Sequence, residues 1–408
     1  MRVLLLNQFF WPDSAPTGVL LEDVARQLVL KGCDVTVICG GSEYAAPRQD
    51  PAPPVTIVRL PGLAYSRARW ARLRSWAWSL LGTAVRSLFL PRFDVVVTLT
   101  TPPAMALVGM LLKKLRSTRF LIWEMDVFPD VAISLGEIRQ GSLAERSLTW
   151  IFNMVRRQAD GIIALGDCMR DRLLAHRIDE RKIVVAENWS DSRVIQPVEL
   201  PPCDPLTILY SGNLGLAHEI ETISDVMLAL RERTDVQFVF TGAGARRISL
   251  ERFCAAHNLA NVRFQGYVDV ELLSASLGAC HLGLITMNSA CVGTVVPSKA
   301  YAFLAAGRPL LFIGLKTAMT ARLTDQGCGW QFEPGDVNGI LELMERLRAN
   351  PELIQRAAAR CRELFKARYD APQGSARVAE LIAGQLPLTS REPISTEPAR
   401  LDGRINVS

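Results

Sequence analysis

Short, largely apolar runs recur along the chain, and most are closed by small or polar residues and followed by a helical stretch. Val3 to Leu6, Asp34 to Ile38, Asp94 to Thr100, Phe120 to Glu124 and Gly161 to Leu165 have this form. A strand buried on both faces reads as continuous Val, Ile and Leu rather than as an alternation. Such strands, separated by helices, build a parallel sheet through right-handed crossovers. The rhythm pauses where Pro197, Pro201, Pro202 and Pro205 crowd together, then restarts with Leu206 to Tyr210. The spacing predicts an α/β chain of two doubly wound, Rossmann-like halves. The first occupies residues 1–196, a linker 197–205, and the second, with its terminal helices, 206–385. Residues 386–408, rich in Pro, Ser, Thr and Glu, read as a disordered tail. A cleft between two such halves is the default place for a ligand.

Charge and cysteine usage remove several classes of function. A net charge of +5 is too small to argue for nucleic acid, but it suits an anionic ligand or an anionic membrane surface. The nine cysteines are scattered, and the four histidines form no His-x-x-x-His pair. Zinc-type spacing is absent, no metal or other cofactor is expected, and the thiols read as those of a reduced, cytosolic protein. The opening run is too short for a signal peptide, and no stretch reaches the roughly 18 apolar residues of a spanning helix.

In open α/β sheets ligands bind at the carboxyl ends of the strands, so the residues that close each run are the candidates. After the first strand comes a loop with Pro12 and Pro16, then Gly18, then a helix from about Val19 to Lys31. Gly18 would let a phosphate or sugar approach the backbone. Asp126 and Asp130 follow the run that ends at Glu124. In the second half, Ser211-Gly212-Asn213-Leu214-Gly215 and Gly242-Ala243-Gly244 close two strands, and Tyr267 lies just past a third. Val296 to Pro309 is the most informative stretch. Pro297 and Ser298 open a helix that runs to about Ala306, with Ser298 as its cap and Lys299 in its first turn. Gly307 ends it and Pro309 prevents its resumption. A helix start of this kind, with Lys299 beside it, is an embryonic anion site.

One further segment is unusual: four arginines and three tryptophans lie between residues 67 and 78. As a helix it would place Trp70, Leu73, Ala77, Leu80, Leu81, Ala84 and Leu88 on one face. Arg69, Arg72, Ser79, Thr83 and Arg86 would share the other. A basic face beside Trp and Leu suits a helix lying at a membrane interface, with Arg67, Arg69, Trp70, Arg72, Arg74, Trp76 and Trp78 as its contacts. The competing reading is a core helix with a solvated arginine face.

Taken together, several anchors resemble the GT-B glycosyltransferases of family 4, and in particular bacterial transferases of colanic-acid, O-antigen and capsule synthesis. They are Asn7 to Pro12 with Thr17-Gly18, Asp126 to Asp130, Glu187-Asn188-Trp189, Tyr210 to Gly215, Thr241 to Gly244, and Val296 to Pro309. Two departures place the chain nearer a Pro-Ser-Lys subgroup. The family's paired glutamates fall on Thr294 and Ala302, and its usual Arg and Lys fall on Asn213 and, approximately, His218. The resemblance implies a retaining enzyme that takes a nucleotide sugar, with UDP ahead of GDP, and needs no metal. Its acceptor would be a lipid-linked or growing saccharide met at the inner face of the cytoplasmic membrane. It further implies that Ser211, Gly212, Asn213, Gly215, Gly242, Gly244, Tyr267, Pro297, Ser298, Tyr301 and Arg308 hold the donor, with Gly18. Lys299 would stabilise the departing diphosphate, and Asp126 would orient the acceptor hydroxyl or the sugar. A nucleotide-sugar epimerase of similar fold and a non-catalytic nucleotide-sugar-binding subunit are the alternatives.

Overall fold

The computed structural model describes residues 1–41, 50–61 and 69–385. The chain divides into two compact units. Among the described residues, the N-terminal unit comprises Met1–Asn188, Gly293–Val295 and 371–385. The C-terminal unit comprises Trp189–Val292 and Val296–Asp370.

The N-terminal unit is built on seven parallel strands: β1 (Arg2–Leu6), β2 (Asp34–Gly40), β3 (Thr56–Leu60), β4 (Val95–Thr98), β5 (Arg119–Glu124), β6 (Gly161–Ala164) and β7 (Ile183–Val185). Their order is β3-β2-β1-β4-β5-β6-β7. The C-terminal unit has six: β8 (Leu206–Ser211), β9 (Val236–Thr241), β10 (Val262–Gln265), β11 (Leu282–Thr286), β12 (Leu310–Ile313) and β13 (Gly329–Phe332). Their order is β10-β9-β8-β11-β12-β13. In each sheet the chain winds outward from its first strand one way and then, at the fourth, the other way. The loops after β1 and β4, and after β8 and β11, therefore diverge, and a crevice opens at the carboxyl edge between them.

The cores follow from the apolar runs. Val3 to Leu6, Val95 to Val97 and Phe120 to Trp123 are buried in one unit, and Leu282, Leu284, Leu311 and Ile313 in the other. Burial of one such side chain is worth about 1.5–3 kcal/mol. Glycine sets the closest approaches: a Cβ on Gly283 of β11 would meet the Phe303 ring at 2.3 Å. That contact seats the helix Lys299–Ala305 flat on its sheet.

Three expectations are corrected. The first helix runs Pro16–Leu30, with Pro16 inside its first turn where its missing N–H costs nothing. Pro16 thus opens the helix rather than lying in the loop before it. Second, the chain first passes between units at Asn188 and Trp189, ahead of the proline cluster. The last helix, Ala371–Ala383, belongs to the N-terminal unit, where it packs on the helix Pro16–Leu30 and Glu380 pairs with Lys31 at 3.0 Å. β13 was also not foreseen, because the alternation Trp330-Gln331-Phe332 is too short to mark a strand.

The third correction concerns the basic, Trp-rich helix, which runs Arg69–Phe89. Ser75, Ser79, Thr83 and Ser87, four residues apart, are buried, while Trp78, Leu81, Val85 and Phe89 stand exposed. Phe89 is 79% exposed and Leu81 63%. The faces are therefore turned from the expected ones: small hydroxyl residues lie against the unit, and Leu81 leaves the face it was expected to share. Small side chains permit the close approach, since a Cβ on Gly82 would sit 3.3 Å from Leu60. Arg67 lies outside the described residues, as do the side chains of Arg69, Trp70 and Arg72. Arg74 is exposed and Trp76 half-buried. The expected tail, 386–408, also lies outside the described residues. Among these, no helix is long and apolar enough to cross a membrane.

Candidate functional site

In the N-terminal unit, Asp126 lies just past the carboxyl end of β5. The Thr100 hydroxyl accepts from the amides of Met125 and Asp126, at 3.2 and 3.1 Å. The Val127 amide donates to the Thr294 carbonyl at 2.8 Å. The backbone is thus held on both sides while no described side chain bonds the Asp126 carboxyl. Burial, and then the Glu124 charge, push its pKa up to about 6. Glu124 itself is buried against Arg156, which also donates to the Phe128 carbonyl at 2.8 Å. A small apolar pocket lined by Thr100, Leu107, Phe128 and Phe152 lies beside that pair. Asp130 is committed elsewhere. It accepts from His176 Nε2 at 2.8 Å and lies 3.4 Å from Arg172. Burial pushes its pKa up, but the His176 hydrogen bond and the nearby positive charges outweigh that and hold it low.

In the C-terminal unit, the loops after β8 and β9 stack backbone on backbone. The Gly212 amide donates to Thr241 O at 2.8 Å, and the Leu214 amide to Ala243 O at 2.7 Å. Gly242 (φ +116) and Gly244 (φ +142) stand where a Cβ would meet the Gly212 and Leu214 carbonyl oxygens at 2.2 Å. Only glycine fits such contacts and such angles. The Gly212 amide is consumed in this stacking, and the Gly242 amide donates to Gln265 O at the end of β10, at 3.1 Å, so neither is a free donor for a ligand. Among the described residues, those of Asn213, Gly215 and Gly244 remain without a partner. Gly244 directly precedes the helix Ala245–Ala256, whose first turn adds partial positive charge.

Lys299 reaches into these loops from the other side of the crevice, after β11. Its stem crosses Gly212, where a Cβ would lie 2.7 Å from Lys299 Cε. Its Nζ donates to the Tyr210 hydroxyl at 2.8 Å and the Asn213 carbonyl at 2.9 Å, and lies 3.2 Å from His218 Nε2. All three partners are neutral. Among the described residues no carboxylate pairs with this ammonium, and burial lowers its pKa to about 8. Tyr267 is 63% exposed, beyond the loops. Ser211 and Pro297 are half-buried at the end of β8 and just before the helix.

Several expected donor residues lie elsewhere. Arg308 is fully buried, and its guanidinium donates to the carbonyls of Val198 (3.0 Å), Glu199 (2.9 Å) and Gly278 (2.6 Å). It precedes β12 and so stands at the amino edge of the sheet, opposite the glycine loops. Tyr301 is 1% exposed and packs on Tyr369 with ring centroids 5.1 Å apart. Ser298 makes no side-chain cap, and the helix it precedes has only seven residues. Gly18 sits in the N-terminal unit, where its Cβ position lies 3.1 Å from the Phe9 backbone, so packing alone accounts for it. Tyr210 and His218 were not expected to hold Lys299. Their only signal was that His218 occupies a position where the resembled family has a cation.

The residues that could hold an anion are therefore Lys299, the free loop amides and the start of the helix Ala245–Ala256. Among the described residues no cluster of three His, Cys, Asp or Glu could hold a metal ion.

Comparison with known proteins agrees with the fold. Residues 17–189 match a family described as a glycosyl transferase 4-like domain, and 205–350 match glycosyl transferases group 1. A probable glycosyltransferase of Pseudomonas aeruginosa, WbjE, is 28% identical over 267 residues, 63% of this chain. The chain spans 66% of that relative's length. Sucrose-phosphate synthase of Thermosynechococcus elongatus superposes with a TM-score of 0.75 at 15% identity, covering 94% of this chain and 99% of its own. HepE of Anabaena, solved in complex with UDP and glucose, gives 0.68 at 13%, covering 94% and 99%. The chain belongs to the GT-B glycosyltransferases of the family 4-like type.

Proposed function

We propose that this glycosyltransferase is a retaining enzyme that moves a sugar from a UDP-sugar to a lipid-linked or growing saccharide of a cell-surface polysaccharide. One observation carries the reading: the Lys299 ammonium, surrounded only by neutral acceptors, lies under glycine loops at a topological switch point. A partly buried cation without a counter-charge favours an anionic ligand, because the anion supplies the missing Coulomb energy. A diphosphate fits beside the free amides and the helix start. UDP is favoured over GDP because HepE, a neighbour of this fold, was solved with UDP.

In the reaction the bond from the anomeric carbon to the diphosphate oxygen breaks and its electron pair leaves with UDP. The acceptor oxygen bonds that carbon and gives up its proton to the departing diphosphate oxygen. Lys299 meets the charge that develops on the diphosphate, an electrostatic effect that commonly dominates such transfers. Asp126, ionised above about pH 6, orients the acceptor hydroxyl. No resident metal enters this scheme.

The acceptor's lipid would be reached at the inner face of the cytoplasmic membrane. Between Asp50 and Asp94 lie seven arginines and no acidic residue. The helix Arg69–Phe89 within that stretch exposes Trp78, Leu81, Val85 and Phe89. Apolar side chains with arginines and no carboxylates suit an anionic bilayer surface.

Calorimetric titration of UDP and GDP into wild type and Lys299→Ala tests the core of the reading. One nucleotide should bind, and the variant should lose about tenfold to a hundredfold, the usual range for a charge-assisted hydrogen bond. Absence of binding by either nucleotide sinks it. A second reading, a non-catalytic nucleotide-sugar-binding subunit, is favoured by Thr294 and Ala302 at the family's glutamate positions. It requires UDP binding without transfer or hydrolysis of any UDP-sugar.

A further inference from the structure

His218 is buried, and the structure fixes its tautomer. Its Nδ1 lies 2.8 Å from the Thr286 carbonyl at the end of β11. A carbonyl only accepts, so Nδ1 carries the proton and Nε2 presents a lone pair. That lone pair faces Lys299 Nζ at 3.2 Å and the Tyr210 hydroxyl at 3.1 Å. With Tyr210 and the Asn213 carbonyl, it gives the three ammonium hydrogens one acceptor each. The Tyr210 hydroxyl is itself anchored on Asn213 O at 2.7 Å.

We propose that His218 is a positioning residue: clamped by the Thr286 carbonyl, its Nε2 holds the Lys299 ammonium, charged and in place, for a nucleoside diphosphate. The last clause rests on the donor reading of Lys299; the hold of His218 on Lys299 does not.

The other charged groups leave this role to His218. Glu219 turns its carboxylate to the Thr222 amide and hydroxyl, at 2.7 and 2.8 Å. Glu221 accepts from the Ile220 amide and from Arg246, both at 2.9 Å. Tyr267 bears on the cluster only through Tyr210. Burial, and then the Lys299 charge, pull His218 down to about 3, so the imidazole stays neutral wherever the lysine titrates. The group that changes charge just above neutrality is the lysine.

The test is to follow the Lys299 side chain by NMR in lysine-labelled protein, with Lys299→Met to assign its signal. Wild type is compared with His218→Leu, which removes the acceptor, and with His218→Gln, whose amide can donate to Thr286 and accept from Lys299. Losing a hydrogen bond to the charged form should move the Lys299 midpoint down by roughly one pH unit in His218→Leu and leave it in place in His218→Gln. The pH above which UDP affinity falls should move with it. His218→Met, also without a comparable acceptor, carries the same expectation should the leucine variant not fold. A His218→Leu protein with an unchanged midpoint, weaker in UDP binding equally at every pH, overturns the proposal. If UDP binds to no variant the donor reading fails, and the NMR midpoints still decide whether His218 holds Lys299.

Discussion

Lys299 and Gly212 occupy one space: the lysine stem crosses the glycine so closely that a methyl group there would lie 2.7 Å from Lys299 Cε. Gly212 also has φ +120, where a side chain is strained. Gly212→Ala should therefore act twice. Strain costs about 1–3 kcal/mol, read as a lower melting temperature. The displaced lysine costs about tenfold in UDP affinity, read by calorimetry on the folded fraction. A variant that melts lower but binds UDP as wild type would show that the lysine stem moves aside freely.

Asp126 sets stability against activity. Its folded pKa, about 6, lies above the ordinary 3.8, so the folded state binds the proton more tightly than the unfolded state does. The stability this gives is present below about pH 4 and is lost as pH rises through 6. Asp126→Asn, neutral throughout, should be more stable than wild type at pH 8 by about 1–3 kcal/mol in urea unfolding. Its transfer rate should fall about a hundredfold, the scale of a misplaced reacting group, and the acid limb near pH 6 should vanish.

Arg308 separates architecture from chemistry. Arg308→Ala leaves several carbonyls without a donor and should cost about 3–5 kcal/mol in chemical unfolding. UDP affinity of the folded protein should be unchanged, because the guanidinium lies at the other edge of the sheet. A selective loss of UDP binding would return Arg308 to the donor site.

The exposed helix face makes a separate prediction. Trp78→Ser, Leu81→Ser and Phe89→Ser together should abolish sedimentation with anionic liposomes while the melting temperature stays within a few degrees, since surface changes are usually worth within about 0.5 kcal/mol. Replacement of buried Ser79 by Trp should instead unfold the protein. Equal liposome binding by the triple variant would end the membrane assignment.

The strands were legible because burial on both faces leaves an unbroken apolar run, and Lys299 was legible because Pro-Ser-Lys opens a helix after such a run. Two errors were avoidable in physical terms. Tyr301 lies two residues from Lys299, about 200° around the helix, so both could not face one ligand. Arg308 follows the helix-ending Gly307 (φ +67) and so belongs to the amino edge of the next strand. The faces of the helix Arg69–Phe89 were misread because hydrophobicity was weighed over size, although hydroxyl residues every fourth position mark close packing. The hold of Tyr210 and His218 on Lys299 was not legible, because it joins residues some eighty positions apart through a tautomer that Thr286 sets.

The division of the chain matters for anyone who would cut it. Residues 293–295 are counted with the N-terminal unit, and so is the helix Ala371–Ala383, so among the described residues the polypeptide passes between units at four places rather than one. A C-terminal half excised at the proline cluster would carry a stray segment of its neighbour just ahead of Lys299 and an orphaned amphipathic helix behind. Exchange of the proposed nucleotide site therefore calls for grafting within the C-terminal unit, on the loops after β8, β9 and β10, with residues 293–295 left native.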